Sequence, residues 1–121
     1  MKSKIIALSK NEEFKTLLKK KKVSNKYVTI FFGSLGNKNR DYLNISFVTK
    51  KKIGNAVKRN KIKRRLKNIM NQILKISKID LNYSYLIIAK KEIINAKFSD
   101  VKEVLFKDCK KIKWWKFFQK S

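Results

Sequence analysis

Residues 50–68 read KKKIGNAVKRNKIKRRLKN, and the interpretation of the whole chain starts from this stretch. Ten basic side chains and no acidic one lie between Lys50 and Lys67. The Gly54–Asn55 pair interrupts the run, and after it small or aliphatic residues alternate with charged ones at a spacing typical of a helix. The pattern predicts a helix with one face in the protein core and the other in contact with a polyanion.

Apolar residues set the register of this predicted helix, which we expect over residues 56–76 with Asn55 as its N-cap. They recur at steps of four, three, four and three: Ile62, Leu66, Ile69, Ile73 and Ile76. At about 100° per residue, a second group lies opposite this stripe: Asn60, Arg64, Lys67 and Asn71. Basic residues occupy both flanks, with Arg59 and Lys63 on one and Lys58 and Arg65 on the other.

Two further helices are predicted, one near each end of the chain. Asn11, followed by Glu12 and Glu13, indicates the start of the first, because carboxylates stabilise the positive end of the helix dipole. The last is predicted to begin with Ser99 as its cap and to reach about Ile112. Its inward positions are Val101, Leu105, Cys109 and Ile112.

Three strands are predicted from β-branched and aromatic residues, at 27–32, 43–49 and 83–89. Alternation in the second strand puts Leu43, Ile45 and Phe47 on one face. The third is an almost continuous apolar run, which predicts a strand in the centre of a sheet or covered on both faces. The expected fold class is α+β: an α-β sandwich with a central sheet of three to four strands and helices packed on it, in the order α-β-β-α-β-α.

Composition limits both the size and the partners of the protein. The 121 residues suit a single domain, and we expect it to span residues 1–112 with a basic, aromatic tail at 113–121. A net charge of +25 and a pI near 10.4 indicate a protein that binds nucleic acid or another anionic surface. No run approaches the roughly 18 apolar residues of a membrane span, and no signal peptide is recognisable, so a cytoplasmic location is expected.

Several kinds of chemistry have almost no candidate residues in this chain. It has no histidine and a single cysteine, Cys109, which argues against a zinc site and excludes an internal disulfide. Only eight carboxylates occur, and none lies between Asp41 and Asp80. The Glu12–Glu13 pair is better explained by helix capping than by catalysis. We therefore expect a partner or a metal to perform the chemistry of any reaction in which the protein takes part.

A basic helix face is usually just a solvated surface, but two features argue against that here. The face has no acidic residues for i,i+4 pairs, so its charges repel one another unless an anion binds there. Three of the four arginines of the chain lie in this stretch, at Arg59, Arg64 and Arg65. Arginine suits phosphate and base-edge contacts because its planar fork donates two parallel hydrogen bonds. RNA or DNA is therefore the expected ligand of this face.

Residues 51–64, KKIGNAVKRNKIKR, resemble the signature of the bacterial ribonuclease P protein component, K-K-[IV]-G-x-A-V-x-R-N-R-x-K-R. The order of the predicted elements is also similar to that family, so the resemblance covers almost the whole chain. It implies the small subunit of a ribonucleoprotein in which a catalytic RNA with bound magnesium removes the 5′ leader from precursor tRNA.

The resemblance also implies the partners and their binding residues. No catalytic or metal-binding residue is expected in the protein; magnesium would be bound mainly by the RNA subunit. The expected partners are the catalytic RNA and precursor tRNA, with neither a membrane nor a protein partner required. The signature and the basic face together predict these RNA-subunit contacts: Lys51, Lys52, Asn55, Lys58, Arg59, Asn60, Lys61, Lys63, Arg64, Arg65 and Lys67.

A cleft for the single-stranded leader, between the sheet and a helix, is a further feature that the resemblance implies. By position its wall would consist of Phe14, Leu18, Thr29, Phe31 and Phe47. The residues themselves give partial support, because Thr29 and Phe31 share a strand face where an aromatic ring can stack on an unpaired base. Phe14 and Phe47 could equally belong to a second layer of core.

The chain departs from the family pattern in three places. Where the signature has R-N-R, this chain has Arg59, Asn60 and Lys61. Lysine keeps the positive charge of the third residue but lacks the planar guanidinium group, which donates two parallel hydrogen bonds. Leu18 replaces a second aromatic residue of the first helix, and a glycine usual after that helix is replaced within Lys19–Lys22. These changes put the strength of leader stacking and the geometry of that loop in question.

Two other functions are alternatives to the one that the resemblance implies. A ribosomal protein that holds rRNA would share the charge but not the KKIGNAVKRN order, and a cationic membrane-active or DNA-compacting protein would bind without regard to RNA fold.

In the tail, Trp114, Trp115, Phe117 and Phe118 are interspersed with lysines. The favoured interpretation is that the last helix continues and packs Trp114 or Trp115 on the sheet, whereas Phe117 and Phe118 could also stack on RNA or lie on a membrane surface.

Overall fold

The computed structural model describes residues 5–8, 12–36, 38–76 and 79–118, without the side chains of 115–118. It is an α+β fold, so the predicted class is confirmed. Five strands form one sheet in the order β1-β4-β5-β3-β2, one strand more than the upper limit expected. The strands are β1 Ile5–Ile6, β2 Lys21–Ser24, β3 Val28–Gly33, β4 Leu43–Val48 and β5 Ser84–Ala89. The α-helices are α1 Glu12–Leu18, α2 Ala56–Lys75 and α3 Phe98–Phe118.

The strand β5 lies in the centre of the sheet, as its apolar sequence predicts. It pairs in parallel with β4 and antiparallel with β3. All its residues but Ile88 are buried. The edges of the sheet are the two strands that were not predicted: β1, parallel to β4, and β2, antiparallel to β3. The strands β4 and β5, which α2 connects in sequence, are therefore parallel neighbours, as in a βαβ unit.

The face of the sheet under α2 and α3 contains the main hydrophobic core. Strand residues at alternate positions, such as Ile30, Ile45 and Ile87, meet the apolar stripes of both helices there. The predicted stripe of α2 is confirmed at Leu66, Ile69 and Ile73, all buried, and at half-buried Ile62. Ile76, predicted to continue it, is 51% exposed because α2 ends at Lys75.

The last helix is longer than the sequence predicts, and its start is different. Its inward positions are confirmed, since Val101, Leu105, Cys109 and Ile112 are all buried in the main core. The carbonyl oxygen of Lys97 accepts the amides of Asp100 and Val101, so the helix begins before Ser99, which lies in the first turn rather than at the cap. The helix continues to Phe118, and residues 119–121 lie outside the described part of the chain.

On the opposite face of the sheet, the only helix among the described residues is the seven-residue α1. Leu17 of α1 and Leu86 of β5 are buried at its centre together with Leu8, and Phe14 and Phe31 pack around them half-buried. An ion pair between Lys38 and Glu13 ties α1 to the loop before β4. Asn11, the predicted cap of this helix, lies outside the described residues. In the ranges described, no helix is long and apolar enough to cross a membrane.

Candidate nucleic-acid interface

The start of α2 is built by three consecutive features of the signature. A short 3-10 helix, Lys51–Ile53, buries Ile53 and leaves both lysines exposed. Gly54 follows at φ 157° and ψ −170°, a conformation that residues with a side chain rarely adopt. Asn55 is the N-cap, as predicted: its side-chain oxygen accepts the Lys58 amide at 2.9 Å. The glycine turns the chain so that the exposed lysines lie just before the positive end of α2.

The first turn of α2 contains no acidic residue. Carboxylates would stabilise the positive end of the helix dipole, and here that end meets further positive charge instead. The backbone N–H groups without an intrahelical partner and the dipole make a helix N-terminus a ready anion site. The arrangement is unfavourable for the isolated helix and favourable for a bound phosphate backbone.

The exposed side of α2 carries most of the predicted RNA contacts. Eight of these eleven residues lie on α2 itself, and all but Arg59 are exposed: Lys58, Arg59, Asn60, Lys61, Lys63, Arg64, Arg65 and Lys67. Val57 is 74% exposed among them, so the side is cationic with one apolar contact point. The structure brings these residues together on one surface; whether they bind RNA stays a prediction.

Arg59 differs from the rest of this surface. It lies seven residues before Leu66, hence on nearly the same side of the helix as the buried stripe. The side chain is half-buried, and its Nε is buried without a hydrogen-bond partner among the described residues. Helical periodicity in the sequence places Arg59 on a flank of the helix, and the structure places this side chain partly in the core, unlike exposed Asn60.

The α1 face of the sheet carries two rows of side chains that run across the strands. In one row Lys22, Phe31, Leu86 and Ser46 are neighbours; in the next, Ser24, Thr29, Ile88 and Val48. Leu86 is buried under α1, whereas no member of the second row is fully buried. The second row therefore forms a partly open lane, and its last member, Val48, lies just before Lys50–Lys52.

The five residues predicted to line a leader cleft do not all share this face. Phe14, Thr29 and Phe31 do, and the Thr29 hydroxyl pairs with that of Ser24 at 3.2 Å. Leu18, at the end of α1, is 46% exposed. Phe47 packs against the main core on the other side of the sheet, so its assignment to the cleft is wrong. Strand alternation already places Phe47 with Ile45, and the same alternation would have identified Val48 and Ile88.

Two buried titratable groups, Cys109 and Tyr85, have no sign of activation for catalysis. Burial, and then the neighbouring Asp108 charge, raise the pKa of the Cys109 thiol to about 12. The thiol is therefore protonated at neutral pH and is not an activated nucleophile. Burial likewise raises the pKa of Tyr85 well above its usual value, and its hydroxyl donates to the Asp80 carbonyl oxygen at 2.5 Å. Both groups belong to the packing of the core.

Comparison with known proteins agrees with the signature on α2. The model of the family described as Ribonuclease P matches residues 3–113, which include every element described except the end of α3. The chain belongs to this family. As a ribonuclease P protein component it takes part in tRNA processing, and the family membership predicted from the sequence is confirmed.

Individual members of the family show how far the similarity extends. The ribonuclease P protein component of Mesomycoplasma hyopneumoniae (strain 7448) is 32% identical over 111 residues, 91% of this chain and 95% of the relative. That of Fusobacterium nucleatum subsp. nucleatum is 37% identical over 106 residues, 86% of each protein. The RNase P protein of Thermotoga maritima has the same fold, with a TM-score of 0.75, 24% identity and coverage of 88% of this chain and 96% of that one. These matches favour the ribonuclease P assignment over the ribosomal and membrane-active alternatives.

Proposed function

We propose that this protein binds the catalytic RNA of ribonuclease P through the exposed side of α2 and binds the 5′ leader of precursor tRNA on the α1 face of the sheet. The complex is an endoribonuclease that removes the leader to give the mature 5′ end. The RNA subunit carries the catalytic centre, and the protein alone does not cleave. The observation that carries the proposal is the cationic side of α2, exposed and free of carboxylates in a chain of this family.

Charge accounts for most of the binding expected from α2. The segment between Asp41 and Asp80 has no acidic side chain, so nothing in this part of the sequence neutralises the lysines and arginines of α2. Each phosphate that these cations neutralise releases condensed counterions, which favours binding and makes it fall steeply with salt. Arg64, at the outer crest of the helix, can also hold a phosphate with two parallel hydrogen bonds.

The leader would follow the open lane of the α1 face. Phe31 supplies a ring on which an unpaired base can stack, and Thr29, Ile88 and Val48 supply a surface of low polarity beside it. Phe14 and Leu18 would form the α1 side of the same cleft. The lane ends next to Lys50–Lys52, so a strand lying in it would pass directly onto the cations that precede α2.

Magnesium belongs to the RNA in this proposal. Among the described residues no group of three or more His, Cys, Asp or Glu side chains could hold a metal ion. The charged residues of the signature are lysine and arginine, which attract phosphates and repel divalent cations. The role of the protein is to hold RNA in place, so that less magnesium is needed to fold and screen it.

The proposal is tested by reconstitution with the catalytic RNA from the same genome and a precursor tRNA labelled in its leader. We expect no cleavage by the protein alone and a marked increase in the cleavage rate at low magnesium when protein is added to RNA. Equal rates with and without protein at every magnesium concentration would contradict the proposal.

A matched pair of triple variants tests the α2 surface itself. Replacing Lys63, Arg64 and Lys67 with alanine should lower affinity for the catalytic RNA and reduce the slope of log K against log salt by about three. The control replaces Lys107, Lys110 and Lys111, which are exposed on α3, and so removes the same charge. Equal losses in both variants would mean that net charge, rather than this surface, binds the RNA.

A further inference from the structure

A second concave site lies on the side of α2 that faces α3. It is a groove of about 270 Å³ between α2 and residues 93–101, on the far side of the sheet from the leader lane. Four buried apolar residues form its floor: Leu66, Ile69, Ile93 and Val101. The proposed function as stated above does not use this groove.

The walls of the groove combine an aromatic ring with an amide. Phe98 is half-buried at the start of α3 and lines the groove, while Ile62, Ile94 and Ala96 supply aliphatic walls. Asn95 is exposed at the edge and offers both a donor and an acceptor. A planar, apolar ligand with hydrogen-bonding groups on its rim matches this lining.

The rim of the groove on the α2 side is cationic. Lys58, Lys61 and Arg65 succeed one another along this flank of the helix, and all three are exposed. No carboxylate lines the groove; Glu92 and Asp100 neighbour its residues in sequence but are not part of its wall. The site is therefore apolar inside and positive at its mouth. This arrangement is complementary to a nucleotide, whose base is largely apolar and whose phosphate is negative.

We propose that this groove holds one unstacked nucleobase of the bound RNA, with the flanking phosphates on Lys58, Lys61 and Arg65. The inference rests on the proposed function for the identity of that RNA. The base would stack against Phe98 and meet Asn95 with its polar edge, since base–aromatic stacking tolerates any base and the amide adds preference. The exposed side of α2 would thereby bind phosphates opposite its buried stripe and one base on the flank that faces α3.

An apolar peptide is the other occupant that such a groove could take, and two observations favour a base. The volume is just below the roughly 300–1,000 Å³ of typical ligand pockets, which suits one ring system better than a row of side chains. Three cations at the mouth would be left without partners by an uncharged peptide, whereas a nucleotide supplies its own phosphate.

Isoleucine methyl groups report directly on the occupant. In the full chain with labelled isoleucine methyls, AMP and UMP should shift the signals of Ile93 and Ile94 and leave those of Ile30 and Ile45, which lie elsewhere in the core, unchanged. Ribose 5-phosphate carries the same sugar and phosphate without a base and should not shift the groove methyls. Equal shifts from the nucleotides and from ribose 5-phosphate, or no shift from either, would overturn the proposal. Shifts that follow protein concentration alone would indicate a second copy as occupant and would also overturn it.

Two variants separate the groove from the surface around it. Ala96→Trp fills the groove and should raise the Kd for AMP at least tenfold, whereas Ser99→Trp adds the same ring outside the lining and should not. Phe98→Leu keeps an apolar side chain but removes the aromatic platform, so it tests the proposal even if Ala96→Trp does not fold. Thermal melts of each variant establish that it is folded.

The same variants measure the contribution of the groove to the complex with catalytic RNA. Ala96→Trp should lower affinity about 5- to 100-fold with an unchanged salt slope, because it removes stacking and no charge. An unchanged affinity in a folded Ala96→Trp protein would overturn the proposal. If wild-type protein failed to bind the catalytic RNA while AMP still shifted the groove methyls, the proposed function would fail and the base-binding groove would stand.

Discussion

The two faces of the sheet differ in how they are covered, and in our proposal one face stabilises the fold while the other binds the leader. Under α2 and α3 the sheet contributes to a core that includes Ile30, Ile45 and Ile87 with almost no exposed area. On the other face α1 covers only the centre, and Phe14, Phe31 and Val48 keep part of their surface in water. One face is closed by helices of 20 and 21 residues, the other by a helix of seven.

The contrast shows how a small basic protein can keep a surface open for a nucleic acid. Charge repulsion at +25 opposes folding, so the apolar burial that offsets it must be large somewhere. Concentrating that burial on one face leaves the other face free to expose aromatic and aliphatic side chains. The experiments below test whether the two faces are as different in energy as they are in geometry.

The largest effect is expected from a pair of matched leucine truncations, Leu105→Ala on the α3 side and Leu17→Ala on α1. Both side chains are fully buried. We expect Leu105→Ala to lower the free energy of unfolding by about 4–5 kcal/mol and Leu17→Ala by about 2–3 kcal/mol, because a short helix can move to close the cavity. Urea unfolding at fixed salt measures both. Equal losses would show that the α1 face contributes to stability as the main core does.

A pair of phenylalanine truncations tests the same contrast through binding. Phe31→Ala should weaken binding of precursor tRNA by the holoenzyme by roughly 1–3 kcal/mol, the range of one base stacked on an aromatic ring. Phe47→Ala, on the covered face, should destabilise the fold and leave leader affinity unchanged. The assay compares precursors with a long leader and with none; a Phe31→Ala defect that persists without a leader would contradict the cleft.

Asn55 is the N-cap of α2 and also a predicted contact of the catalytic RNA, and these two roles can be separated. Asn55→Ala should cost about 1 kcal/mol of stability through loss of the N-cap. Asn55→Asp keeps the cap and suits the helix dipole, so stability should be retained. The added negative charge should nevertheless weaken binding of the catalytic RNA. Full RNA affinity in a stable Asn55→Asp protein would leave this residue with a structural role alone.

The smallest effect is expected from the thiol in the main core. Because the pKa of Cys109 is raised from about 9 to about 12, the unfolded chain loses this proton first, and its stabilising contribution falls as pH rises above 9. Relative to its value at pH 7, the stability advantage of wild type over Cys109→Ala should shrink by about 0.8 kcal/mol at pH 9.5. Tyrosine and lysine titrations are common to both proteins. Parallel stability profiles would indicate that water reaches the thiol.

Elements with a strong hydrophobic period could be predicted from the sequence, and elements defined by their partners could not. The buried stripe of α2 and the central position of β5 were predicted correctly, because the apolar residues of each segment indicate which of its positions are buried. The strand β2, Lys21–Ser24, has one apolar residue, Val23, and exists because it pairs with β3. The two-residue strand β1 is likewise a strand only beside β4.

The candidate site shows the same limit in a different way. The exposed side of α2 follows from helical periodicity, which is why its residues were identified together. Phe47 was assigned by resemblance although strand alternation placed it in the core, and in that conflict the alternation was right. The groove beside Phe98 could not be predicted, because its wall opposite α2 is a short 3-10 helix, Lys91–Ile93, and a turn. Neither has a hydrophobic periodicity that a sequence pattern could reveal.

The central position of β5 has a consequence for the synthesis of the protein. Neither β3 nor β4 pairs with the other; both require residues 84–89, which the ribosome delivers in the last third of the chain. A nascent or truncated chain ending before residue 84 therefore contains all of α2 and its cations, but its β1–β4 and β2–β3 pairs are not joined into one sheet. Such a fragment would keep the cationic residues of α2 without the complete sheet on which the helix packs. The order of the strands therefore makes the proposed selective binding of RNA depend on residues 84–89.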